Sequence, residues 1–240
     1  MSDWFEKLRK RVYPILMPSP CTLCGDAEAD DALCPICIED IFNSPSYLAF
    51  ADLKEVPKLA SVMEMDTLDH IYVAFNYQWP ISKWISAYKY QQVMHYESVL
   101  NTIWQRALTK DFDVGLKSDE QVVITYVASD WLRLWQRGFN QSYIMAQFVA
   151  DKIGKPLNDL FYRQVGVAHQ SGQGAKARRA KHNAYQVRAE QVANIEGKHI
   201  YLVDDVITTG QTLNQLAYLL KQQGAITVTA VVYAWANESL

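Results

Sequence analysis

Tyr201-Leu202-Val203-Asp204-Asp205-Val206-Ile207-Thr208-Thr209-Gly210-Gln211-Thr212 is the stretch that decides the fold. The apolar run from Ile200 to Val203 predicts a short buried strand that ends in two carboxylates. A polar loop with hydroxyls and one glycine follows. A helix is predicted straight after it, because Leu213, Leu216, Ala217 and Leu220 share one face at helical spacing and Gly224 stands just past the end. A loop that opens a helix presents free backbone N–H groups and the positive end of the helix dipole. Thr208, Thr209 and Thr212 add hydroxyl donors, and Gly210 allows close approach of the backbone, so residues 208–212, Gln211 included, are the expected seat of a phosphate. Asp204 and Asp205 would repel that phosphate. They suit neighbouring hydroxyls, such as those of a ribose, or a magnesium ion.

Within this stretch Val203 to Thr212 resembles the phosphoribosyl-diphosphate (PRPP) motif of type I phosphoribosyltransferases: apolar residues, two acids, more apolar residues, then Thr-Thr-Gly. The resemblance implies that Asp204 and Asp205 hold the ribose hydroxyls and that residues 208–212 hold the 5′-phosphate.

The chain of 240 residues has room for one sizeable domain and a small one, and half of it is apolar. Its formal net charge of −3 does not by itself announce a nucleic-acid binder. No apolar run approaches the ~20 residues a membrane span needs. Residues 1–17 mix Lys7, Arg9, Lys10 and Arg11 with Asp3 and Glu6 and lack a secretory pattern. They read as a short amphipathic helix with Trp4, Phe5, Leu8 and Val12 on one face, and the expected location is the cytoplasm.

All four cysteines lie close together: Cys21-x-x-Cys24, nine residues, then Cys34-x-x-Cys37. Two such pairs without a signal peptide predict a tetrahedral, structural zinc site, closed to substrate by its four thiolates. Two disulfides and a redox pair are the alternatives, the first disfavoured by compartment and the second by the lack of a surrounding βαβ unit. The zinc module is expected over 18–45, small enough to depend on its metal. A connector marked by Pro45 and Pro57 is expected over 46–69, and the main domain over 70–240.

In that domain His70 to Tyr77 and Val122 to Val127 read as strands, with helices after Pro80 and from His95 to Leu108. Ala128-Ser129-Asp130 follows the second strand, at the end where open α/β sheets place ligands. Next comes Arg137-Gly138-Phe139-Asn140-Gln141, where Gly138 permits a turn and Asn140 can cap a helix running to Ile153. Residues 163–188 carry Arg163, Lys176, Arg178, Arg179, Lys181 and Arg188 with no acid, and Gly166, Gly172 and Gly174 loosen the segment. Such a segment suits a lid over a polyanion or an arm for single-stranded nucleic acid. Ile226 to Val232 reads as a strand closing the sheet, with a short tail after it.

The cysteine pairs, the Arg-Gly-Phe-Asn-Gln string and the acidic-pair loop, in this order, resemble the ComF/GntX family over about residues 20–235. These proteins are phosphoribosyltransferase-like and are linked in many bacteria to DNA uptake during natural transformation. The resemblance implies an α/β fold: a mostly parallel phosphoribosyltransferase-like sheet with helices on both faces, preceded by a small four-cysteine zinc module. It implies a diphosphate held by the 128–130 loop (Ala128, Ser129, Asp130), Arg137 and Lys89, with magnesium accompanying PRPP. The 128–130 loop lacks the prolines that members of the family often carry there. Two functions follow as expectations. One is an enzyme that transfers a phosphoribosyl group, its catalysis electrostatic and its general base unidentified. The other is a binding module of the DNA-uptake machinery that docks single-stranded DNA through the basic arm and a partner such as a helicase through the zinc module.

Overall fold

The computed structural model describes residues 20–26, 32–56, 65–91, 95–113, 121–129, 138–163 and 185–236. The predicted helix over 1–17, Asp130, Arg137 and the basic residues Lys176, Arg178, Arg179 and Lys181 lie outside these residues.

The chain separates into two compact units. The first unites residues 1–47 with 77–106. Within it, α1 (Pro35–Asn43) carries the second cysteine pair, and α2 (Ile81–Gln91) and most of α3 (His95–Asp111) follow. Trp84, Tyr88, Ile103 and Trp104 are fully buried and give these helices their weight of apolar surface. Thr22 Oγ1 and His95 Nε2 lie 2.7 Å apart, which ties the first cysteine turn to the start of α3. Helices α2 and α3 therefore belong with the cysteine segment, although they follow a strand of the sheet in sequence.

The second unit joins residues 48–76 to 107–240. Its strands are β1 (Tyr47–Asp52), β2 (His70–Asn76), β3 (Val122–Tyr126), β6 (His199–Ile207) and β7 (Thr227–Trp235), in the order β1-β2-β7-β6-β3. The pairs β2–β7, β7–β6 and β6–β3 are all parallel. A separate antiparallel hairpin is formed by β4 (Phe161–Arg163) and β5 (Tyr185–Val187).

Strands β6 and β7 are buried on both faces, which explains their near-continuous apolar sequence. Ile200 and Leu202 of β6 share one core with Val228 and Ala230 of β7 and with Leu213, Leu216, Ala217 and Leu220 of α5 (Gln211–Gln222). Tyr201 and Val203 alternate to the other face. Helix α4 (Gln141–Ile153) packs on β3 and β6, and its buried Met145, Ala146 and Val149 stand outside the α5 core, so it covers that opposite face.

Three local expectations change. Strand β6 does not stop at the acids: Val206 pairs with Ala234 and Ile207 with Trp235, so the two carboxylates sit inside the ladder. Trp235 is a buried strand residue rather than part of a tail. Residues 47–52, read as connector, form the edge strand; Ala49 and Phe50 both have positive φ, which breaks the alternation that would have marked a strand.

Candidate functional site

The sheet topology makes a crevice where the acidic pair stands. After β3 the chain crosses through α4 and returns on the outer flank of β3: Ile124 N–H donates to Pro156 O (2.9 Å), Asn158 N–H donates to Ile124 O (2.9 Å), and Leu157 bridges Ile124 in parallel. After β6 the chain goes the other way, through α5 to β7. The connections of two adjacent strands thus diverge, and in open α/β sheets ligands enter at the carboxyl ends of such a pair. Val127 to Ser129 leaves β3 at this point, with Val127 N–H donating to Val203 O (3.0 Å). Asp204 and Asp205, both half-buried, stand on the neighbouring strand.

The loop after them turns into a helix at a glycine. Gly210 caps α5 at φ 78°, a left-handed conformation that a side chain would strain. Thr208, Thr209, Gln211 and Thr212 are exposed around it. The start of α5 is pinned from outside: Thr67 N–H donates to Asn214 Oδ1 (2.9 Å) and Thr67 Oγ1 donates to Asn214 O (2.8 Å). The far end is held by Asp69, which accepts from Lys221 Nζ (2.8 Å) and from Val228 N–H (2.7 Å).

The Arg-Gly-Phe-Asn-Gln string supplies the third wall. Gly138 turns at φ 77°. Asn140 caps α4, its Oδ1 accepting from Ser142 N–H (3.1 Å), while its Nδ2 donates to Val127 O (3.1 Å). One side chain therefore fastens the start of α4 to the end of β3. Ser142 is buried, and its Oγ donates to Asp204 Oδ1 at 3.0 Å. Neither the Asn140–Val127 link nor Ser142 was expected from sequence; both depend on α4 crossing over β6.

In the first unit, Cys21, Cys24, Cys34 and Cys37 bring their sulfurs within 4.8 Å of one another. None of the four is joined in a disulfide. Gly25, at φ 82°, closes the first turn by donating to Cys21 O (2.8 Å), and Pro35 starts α1 between the second pair. Cys34 N–H donates to Cys21 Sγ (3.3 Å). Burial pushes the Cys21 thiol up, but backbone N–H groups of Cys24, Cys34 and Leu23 more than offset it and leave it at about 6. Cys37 goes the other way: burial, then the neighbouring thiols, push it well above its ordinary range. One thiolate is welcome here and a second is not, unless a cation joins them. Tetrahedral zinc with bonds of about 2.3 Å sets its sulfurs roughly 3.8 Å apart, and Cys24 Sγ and Cys34 Sγ already lie 3.7 Å apart. The four cysteines can hold a metal ion.

Comparison with known proteins agrees with this geometry. Residues 140–239 match the phosphoribosyl transferase domain family. The chain is similar to the DNA utilization protein YhgH of Salmonella typhimurium, 30% identical over 156 residues, which is 64% of this chain and 66% of that one. It is similar to the protein of the same name from Escherichia coli K12, 26% identical over 220 residues, 90% of this chain and 88% of that one. It is also similar to competence protein F of Haemophilus influenzae, 36% identical over 94 residues, 38% of this chain and 41% of that one. The chain belongs to the ComF family.

In this ComF-family chain the described members of the predicted phosphate, ribose and diphosphate sets fall in two places. Asp204, Asp205, residues 208–212, Ala128 and Ser129 lie at or just past the carboxyl ends of β3 and β6 in the second unit, while Lys89 lies in the last turn of α2 in the first. Among the described residues no helix is long and apolar enough to cross a membrane. The ComF-family string can be tested by its asparagine. Asn140→Ala should lower stability by about 2 kcal/mol, from the lost cap and an orphaned Val127 carbonyl. Asn140→Ser, which keeps the cap alone, should fall between it and the wild type in urea denaturation.

Proposed function

We propose that this chain binds PRPP, or a related phosphorylated ribose, with magnesium, and acts in DNA utilisation of the kind named for its relatives. The observation that carries the reading is the join of β6 to α5. Two carboxylates at a topological switch point give way to a loop of exposed hydroxyls with Gly210 at its turn. In this reading Asp204 and Asp205 accept from the ribose hydroxyls, residues 208–212 donate to the 5′-phosphate, and Ala128 and Ser129 face the diphosphate together with Asp130 and Arg137. Magnesium would be held by the carboxylates and the sugar diphosphate; when bound it neutralises charge on the leaving diphosphate. The chain's own contribution to turnover is positioning and electrostatic, with donors fixed where negative charge develops on the departing group.

The cysteine cluster holds zinc as a structural ion in this reading, and the basic segment 176–181 contacts either the bound diphosphate or single-stranded DNA. Calorimetry with PRPP and magnesium tests the first statement: a saturable heat that disappears without the metal is expected. Release of diphosphate in the presence of an acceptor base then separates an enzyme from a binding module. For the arm, a Lys176/Arg178/Arg179 to Ala triple should weaken binding to single-stranded DNA and flatten its salt dependence. An unchanged slope excludes the arm from DNA contact.

A further inference from the structure

We infer that Ser142 is a positioning residue for Asp204, and that the start of α4 is a working wall of the sugar site rather than a packing element. This rests on the reading of the crevice as a site for a phosphorylated ribose. Helix α4 and strand β6 are 62 residues apart in sequence at this contact, yet Ser142 Oγ donates to Asp204 Oδ1 at 3.0 Å. The same oxygen accepts from Asp205 N–H at 2.9 Å. Two donors on one oxygen fix the rotation of the carboxyl group. A carboxylate that must accept from vicinal hydroxyls needs that fixed orientation.

The hydroxyl is itself held. Ser142 is 5% exposed, so its rotamer is set by packing, and its backbone N–H is taken by the Asn140 cap. Asn140 in turn grips Val127 O, at the start of the 127–129 loop. The chain of contacts Val127–Asn140–Ser142–Asp204 therefore links the loop that faces the diphosphate to the acid that faces the sugar. Beside it, Gln141 is 9% exposed and its Oε1 has no protein partner, a buried acceptor at the same wall. A serine that merely filled space would need no hydroxyl, since alanine has nearly the same volume.

The test separates a sugar effect from a general one by choice of probe. Wild type, Ser142→Ala and Ser142→Thr are titrated with ribose 5-phosphate plus magnesium, with 2-deoxyribose 5-phosphate plus magnesium, and with inorganic phosphate alone. Ser142→Ala should weaken ribose 5-phosphate by about tenfold, as loss of one hydrogen bond to a charged acceptor does. Its affinity for inorganic phosphate, which needs only residues 208–212, should not change. Ser142→Thr, which keeps the hydroxyl, should stay near the wild type. Equal weakening of all three probes by Ser142→Ala, or none, overturns the role given to Ser142. A wild type that binds phosphate without preferring the ribose over the deoxyribose overturns the sugar reading itself, and the role of Ser142 with it. That failure is recognised because it shows before any substitution is made.

Discussion

Asp204→Asn together with Asp205→Asn is expected to lower the affinity for PRPP and magnesium by at least about 100-fold, the loss of two charge-assisted contacts. The substitution keeps shape and nearly keeps volume, so the ladder of β6 with β7, which runs past both positions to Ile207 and Trp235, should hold. Asparagine Oδ1 can still accept from Ser142. What disappears is the negative charge that draws magnesium and strengthens each hydrogen bond from a sugar hydroxyl. The affinity for inorganic phosphate should rise or stay level, because two like charges beside its seat have gone. Calorimetry with the two ligands in parallel reads both effects. A double variant that binds PRPP as the wild type does would remove the acids from the site.

Replacing Cys37 by serine is expected to cost the first unit its metal and most of its cooperative folding. Structural zinc contributes about 10–16 kcal/mol of apparent folding free energy in small four-ligand modules. Three of these cysteines are buried and Cys24 is exposed, so Cys24→Ser tests the ligand role with the least loss of packing. Both variants should lose metal by elemental analysis, and both should lose the helical signal that chelator removes from the wild type. The pH dependence has a definite sign. The Cys21 thiol ionises near 6 without help, whereas the Cys37 thiol is held protonated by burial and by its neighbours. Metal must therefore displace protons to bind. Apparent affinity should climb as pH rises above about 6, and occupancy should fall as the solution is acidified below it. Metal content that ignores acid and chelator would rule out a thiolate site.

The two sites differ in how far they could be read without coordinates. The cysteines needed only counting, because two Cys-x-x-Cys turns fold locally and each presents two sulfurs on one side. The crevice at the acidic pair was half legible. Its acids, hydroxyls and glycine are consecutive, so one strand–loop–helix unit carries them. Its other wall was not legible, because Ser142 reaches Asp204 only after α4 has crossed the sheet. Asn140 was read as a cap, and its second hydrogen bond, to Val127, comes from an element thirteen residues earlier.

By itself the sequence determined what is local: a buried strand before the acids, a helix after Gly210, a thiol cluster, and a turn at Gly138. Each rests on neighbours within a few residues, where side-chain period and backbone preference act directly. The tertiary structure decided the rest. It set the order β1-β2-β7-β6-β3, carried β6 past its acids, made an edge strand of residues 47–52, and grouped α2 and α3 with the cysteine segment. These depend on which distant surfaces bury one another, and no local pattern encodes that choice.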